Sequence, residues 1–219
     1  MANGTIKKGS LVKNRGNMAN GTIKKGSLVK NTGGSGGGGN VEFKTSIYAT
    51  DNAYIQTDIS MNENYKIRVT GKRNKSYNST NYLYIFGGSK SSGSYPLGTD
   101  CYFSYSSGAS KNVVAILTYN GTGYPPTSSA SHYFGSDDFD LSLNAYTNNT
   151  VSFTIFCSNS INGFLNDYVS LSLIEIKDQN DNLLHELKPA IVNGESGMYD
   201  TVTQTFYGNA NSVGSLVCE

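Results

Sequence analysis

The chain has 219 residues, room for one large domain or one domain with an appendage. Only 15% of residues are charged and the net charge is +1, while Gly (25) and Tyr (16) abound and Trp is absent. No apolar run approaches the ~18 residues of a membrane-spanning helix. Three widely spaced cysteines, Cys101, Cys157 and Cys218, make neither a disulfide framework nor a metal-spaced pair.

The first element in chain order is a repeat. MANGTIKKGSLVKN occupies 1–14 and recurs identically at 18–31, joined by Arg15-Gly16-Asn17. Each copy places an apolar pair before and after a turn-prone Lys-Lys-Gly-Ser, which reads as a small strand–turn–strand clip too short to be stable alone. Lys7, Lys8, Lys13, Arg15, Lys24, Lys25 and Lys30 precede the first acid, Glu42, so a basic arm leads into an acidic body. An arm of this kind docks on something negative or keeps a tail in solution; charge alone does not choose. The candidate docking residues are Ile6, Lys7, Lys8, Leu11 and Val12 of the first copy and Ile23, Lys24, Lys25, Leu28 and Val29 of the second. Two copies could engage two equivalent sites with a gain in avidity. A duplication without a role would look the same. Residues 32–39, TGGSGGGG, form a glycine tether, so the boundaries are arm 1–31, tether 32–39 and domain 40–219.

From Val41 onward short strand signals alternate with turn residues. Tyr65, Ile67 and Val69 alternate with Lys66, Arg68 and Thr70, and Gly71-Lys72 is read as the following turn. The dense runs 82–86 (YLYIF) and 113–117 (VVAIL) are central strands. Phe139, Leu141 and Leu143 alternate with Asp140 and Ser142, as do Phe153, Ile155 and Cys157 with Thr154 and Phe156. In VSLSLIEI the phase slips between Leu173 and Ile174, which predicts a bulge. Residues 178–182 are a turn, and further strands run between Tyr199 and Phe206. Cys101 and Cys157 lie in apolar strand runs and are expected as buried thiols. About twelve strands and no helical period predict an all-β fold, a two-sheet antiparallel jelly-roll sandwich with an extended N-terminal arm.

Three runs stand out: AYIQTDISMNENYKIRV at 53–69, YIFGGSK at 84–90, and the run 167–210 containing Pro189, Gly194, Gly197-Met198-Tyr199-Asp200 and Phe206-Tyr207-Gly208-Asn209. On these, residues 40–219 resemble the concanavalin/laminin-G-like jelly-roll domains of tailed bacteriophages and gut-bacterial surface proteins. Glu186 and the tail SVGSLVCE depart from that pattern. Within it Gly197 is expected to supply a positive φ and Asp200 to cap the turn it begins. The arm, tether and distal sandwich resemble the fibre or decoration proteins of tailed phages. The resemblance implies a structural virion protein anchored by its arm, as a head fibre, capsid decoration or tail-fibre domain. Its implied partners are capsid or other virion proteins and host-surface or mucus glycans, in a homo-oligomer, with no nucleic acid and no membrane. The absence of a Sec-type leader agrees with release of virions by lysis. A carbohydrate-binding adhesin module of a gut bacterium is the other reading.

Catalytic patterns are missing. Jelly-roll glycosidases need two flanking carboxylates, but the acids of Ser136-Asp137-Asp138-Phe139-Asp140 lack a Glu partner and Glu175 stands alone. There is no Gly-x-Ser-x-Gly elbow, and His132 and His185 stand alone. The chain therefore reads as non-enzymatic and without a resident cofactor. Asp137, Asp138 and Asp140 could hold calcium or simply open a strand as a solvated loop. Tyr95, Tyr102, Tyr105, Tyr119, Tyr124 and Tyr133 either pack the sandwich or build an aromatic platform for a sugar ring. Tyr119 and Tyr124, flanking Asn120-Gly121-Thr122-Gly123, are the chosen candidates, on the expectation that this loop is exposed.

Overall fold

A computed structural model describes residues 29–30, 40–60, 64–92, 95–120, 126, 128–145, 152–158 and 160–219. Sixteen strands are found among them. In chain order they are β1 (Val29–Lys30), β2 (Val41–Phe43), β3 (Ile47–Thr50), β4 (Ile55–Ser60), β5 (Tyr65–Arg73), β6 (Leu83–Ser92), β7 (Tyr95–Ser106) and β8 (Lys111–Asn120). There follow β9 (Ser128–Tyr133), β10 (Asp138–Ala145), β11 (Ser152–Ile155), β12 (Val169–Asp178), β13 (Leu183–Val192), β14 (Glu195–Asp200), β15 (Thr205–Tyr207) and β16 (Ser215–Cys218). A single 3₁₀ turn, Asn166–Tyr168, is the only helical element among the described residues.

The strands form two antiparallel sheets packed as a sandwich, the expected all-β class. One sheet has ten strands, with β1-β15-β14-β13-β12-β3-β16 as its main path and β5 joining β12 to β10. The other has six, in the order β4-β11-β6-β7-β8-β9. At one side the Ser128 hydroxyl donates to the Asn144 carbonyl at 3.2 Å, tying β9 to β10 across the two sheets. At the other, Ile55 bridges Asn209.

Period-two alternation explains which residues fill the space between the sheets. In β5 Tyr65, Ile67 and Val69 are buried while Arg68 is exposed; in β10 Phe139 and Leu141 are buried between exposed Asp138, Asp140 and Ser142. The core is aromatic, as composition predicts: Phe103 meets Phe134 edge-on at 5.8 Å, Phe134 meets Phe139 at 5.9 Å, and Phe86 meets Phe153 at 5.7 Å. Among the described residues, one buried side-chain nitrogen, His132 Nε2, has no hydrogen-bond partner, while the hydroxyls between the sheets are linked in a chain. The Tyr65 hydroxyl donates to Thr99 Oγ1 at 2.6 Å, and Thr99 shares a further bond with Thr118 at 3.0 Å. Cys101 and Cys157 are buried free thiols.

The slip in β12 is a bulge: Leu171 pairs with Gly71 and Leu173 with Thr70, so Ser172 is the extra residue. It turns Leu173 half outward while Ile174 and Ile176 rejoin the core. Two expectations fail locally. Gly71 is not a turn but lies inside β5, where a β-carbon would come within 2.3 Å of the Ser170 carbonyl oxygen and 2.8 Å of the Phe139 ring. Strand β11 stops at Ile155, because Phe156 takes a φ of 70° and turns its ring inward instead of continuing the alternation.

A smaller apolar cluster lies on the outward face of the ten-stranded sheet. Met198 and Tyr207 point into the core, so their neighbours Tyr199 and Phe206 point away and pack with Ala190, Val192 and Val41. Phe43, half exposed, stands edge-on to Tyr199 at 5.8 Å.

Candidate functional site

The six-stranded sheet carries the candidate site on its outward face. In β7, Thr99 and Phe103 are directed into the core, so Asp100, Tyr102 and Ser104 take the other side. Tyr102 pairs with Tyr84 of β6 on one flank and Ala115 of β8 on the other, and Ala115 pairs with Ser131 of β9. One row of this face therefore reads Tyr84, Tyr102, Ala115, Ser131. In the next row Ser104, Val113 and Tyr133 stand side by side.

Tyr82, just before β6, stacks on Tyr102 with ring centroids 4.1 Å apart and planes 25° apart. Tyr82 and Tyr133 both stand close enough to Tyr102 to affect it electrostatically. Burial, then the Tyr82 and Tyr133 phenols, push the Tyr102 phenol well above its ordinary value, so it stays a neutral donor. Tyr82 is 48% and Tyr133 51% exposed, an unusual amount of ring left in solvent. Small neighbours, Ala115 and Ser131, keep the surface between them low. Flat rings, phenol hydroxyls and serine hydroxyls on a rigid sheet are suited to the face of a pyranose ring and the hydroxyls at its rim.

The platform is held at its flank, on the same face. Asp100 lies one residue before Cys101 on the same strand; its carboxylate accepts the backbone N–H groups of Gly88 (3.0 Å) and Ser89 (3.1 Å) and the Ser89 hydroxyl (2.5 Å). That locks β6 to β7 beyond the ladder. Burial pushes the Asp100 carboxyl up, against the pull of these three donors. The Tyr84 N–H donates to the Gly163 carbonyl at 2.8 Å, and Gly163, with φ 59°, leaves no room for a β-carbon beside the Tyr84 ring.

The residues chosen from sequence are distributed differently. Tyr119 is not in an open loop: β8 continues through Asn120, Tyr119 sits opposite Gly98, and only 8% of it is exposed. Tyr124 lies outside the described residues. Tyr102 and Tyr133 of the wider tyrosine set are brought together, and Tyr82 joins them unforeseen. Its signal was present, since Tyr82 and Tyr84 share a period-two face opposite Leu83.

Asp137, Asp138 and Asp140 do not gather around a cation. Asp137 accepts two bonds from Arg73, at 3.0 and 2.7 Å, and Asp140 binds Arg68 through both oxygens, at 2.8 and 2.6 Å. Arg68 also reaches Glu175 at 3.0 Å, and its bonds hold the Asp140 carboxyl below the usual range. Asp138 pairs in register with Lys72. Among the described residues no group of three His, Cys, Asp or Glu side chains could hold a metal ion. Two of the three carboxylates are engaged by guanidinium groups instead.

Of the arm, Ile6, Lys7, Lys8, Leu11, Val12, Ile23, Lys24, Lys25 and Leu28 lie outside the described residues. The backbone of Val29 is described, and it pairs with Phe206 of β15. Comparison with protein-family models, with curated proteins and with solved structures finds no match for this chain.

Proposed function

We propose that this chain is a non-enzymatic display protein whose sandwich holds a saccharide on its tyrosine face. The observation that carries the reading is the stacked Tyr82–Tyr102 pair with Tyr133 beside it, two of the three rings about half exposed on a rigid sheet. Stacking on such rings recognises the apolar face of a sugar, and the phenols and Ser131 supply hydroxyl-to-hydroxyl bonds. Affinity from a shallow platform of this kind is weak per site, so display in many copies is what makes it useful.

The proposed setting is a tailed-phage virion, with the arm as anchor and the sandwich as the outward domain of a head fibre, decoration or tail fibre. The basic arm before an acidic body and the jelly-roll resemblance support it. A bacterial adhesin would use the same face. Two measurements on the full chain separate these readings. Glycan-array binding that disappears in Tyr82→Ala and Tyr133→Ala supports the tyrosine face, and binding that survives both sinks it. Co-sedimentation with purified particles that is lost on deleting residues 1–31 supports the virion anchor; retention without them overturns it.

A further inference from the structure

The outer edge of β15 closes the main path of the larger sheet, and what closes it is the arm. β1 pairs antiparallel with β15, Val29 opposite Phe206 and Lys30 opposite Thr205. The edge runs beside the outward apolar cluster of Ala190, Val192, Tyr199 and Phe206. An open strand edge next to apolar side chains invites pairing with another strand, and a short segment of the same chain covers it here.

The covering segment belongs to the repeat. Residues 18–31 are identical to residues 1–14, so Leu28-Val29-Lys30 has an exact counterpart in Leu11-Val12-Lys13. Backbone pairing cannot distinguish two identical segments. We propose that the β15 edge is a docking site for the Leu-Val-Lys segment of the repeat, and that either copy fills it, one at a time. The chain has two such segments and one such edge, so one copy is always outside it. This inference does not depend on the saccharide reading.

Loop closure sets the balance between the copies. Docking the second copy closes residues 31–40 before β2; docking the first closes residues 14–40, a loop roughly 2.7 times as long. The three-halves power of that ratio favours the second copy by about fourfold. The near copy therefore holds the edge most of the time, and the far copy takes it when the near one leaves.

Hydrogen exchange of the β15 amides, Thr205–Tyr207, in the full chain tests this. Val29→Pro with Lys30→Pro disables the near copy, Val12→Pro with Lys13→Pro the far copy, and the fourfold variant both. All four positions precede the sandwich, and an unchanged melting temperature verifies that it stays folded. Protection of the edge-facing amides should fall about fivefold without the near copy, change by less than twofold without the far copy, and vanish without both. Adding the peptide MANGTIKKGSLVKN to the fourfold variant should restore it, while a scrambled peptide should not. If the near-copy variant already loses as much protection as the fourfold variant, the far copy does not dock and the proposal fails. If the fourfold variant keeps full protection, the edge is not the arm's site at all.

Discussion

The His185 Nδ1 and Asp200 Oδ2 atoms are 2.7 Å apart, and the Asp200 side chain is fully buried. Asp200 also accepts the backbone N–H groups of Glu186 (3.1 Å), Val202 (3.0 Å) and Thr203 (3.4 Å) and the Thr203 hydroxyl (2.8 Å). This is the turn cap that its place in the sequence predicts, extended to clamp β13 as well. Burial alone would raise the Asp200 carboxyl; the bonds from His185, Thr203 and the backbone outweigh it and hold the group below its ordinary value. An ionised carboxylate only accepts, so His185 carries its proton on Nδ1.

A carboxyl depressed in the folded state adds stability above its unfolded pKa and loses it as pH falls through the folded value. Asp200→Asn should therefore cost about 2–3 kcal/mol at pH 7, from bonds to a charged acceptor. The cost should shrink as the pH falls below about 4, the unfolded Asp value. Urea unfolding at pH 7 and pH 3 measures both. An equal penalty at the two pH values would mean that the charge contributes nothing.

Gly197 was expected to provide a positive φ, but its neighbour Gly194 does so, at 82°. Gly197 is required for a different reason: a β-carbon there would lie 2.3 Å from the Tyr207 carbonyl oxygen and 2.6 Å from the Phe206 ring. Gly197→Ala should thus force β14 from β15 and cost about 3 kcal/mol. Gly194→Ala meets open space and carries only the left-handed backbone penalty, about 1–2 kcal/mol. Thermal unfolding of the pair decides; the reverse order would show that backbone conformation, and not close approach, governs this hairpin.

These cases show what is legible in the chain. Alternation in β5 and β10 and the slip in β12 are local patterns, and each produces the pairing it predicts. Close approach is not local. Gly71 is fixed by Ser170 and Phe139, and Gly197 by Phe206 and Tyr207, so neither reason can be read from neighbouring residues. The tyrosine face has the same character. Tyr82 reaches Tyr102 across the pairing of β6 with β7, which sets Tyr84 opposite Tyr102. The acidic triplet reads equally as a cation site or as a solvated loop, because the sequence does not reveal that Arg68 and Arg73 are beside it.

Binding and folding should separate at the tyrosine face. Tyr133→Ala removes a ring that is half in solvent, and should cost less than about 1 kcal/mol of stability. Loss of a stacking partner should still weaken saccharide binding several-fold, as aromatic contacts of this type contribute about 0.5–1.5 kcal/mol beyond area. Phe103→Ala, in the fully buried core directly behind Tyr102, should do the opposite in kind: about 3–5 kcal/mol of stability lost. Titration calorimetry beside thermal unfolding tests the split. A Tyr133 variant as unstable as the Phe103 variant would make that ring a packing residue.

Asp100 should respond to pH with the sign opposite to Asp200. Its carboxyl is raised by burial in the folded state, so its contribution to stability is complete below the unfolded Asp pKa of about 3.9 and is lost as pH rises through the folded value. Asp100→Asn keeps one oxygen for the Gly88 and Ser89 amides and turns an N–H toward the Ser89 hydroxyl, while removing the buried charge. It should be at least as stable as the parent at pH 7, with the advantage gone at pH 4. Asp100→Ala removes the carboxylate that Gly88, Ser89 and the Ser89 hydroxyl share and should cost about 2–3 kcal/mol at pH 7. Urea unfolding of both variants at the two pH values tests the assignment. If the Asn variant were as damaged as the Ala variant at pH 7, β6 would need the charge itself, and the carboxylate would be a favourable one despite its burial.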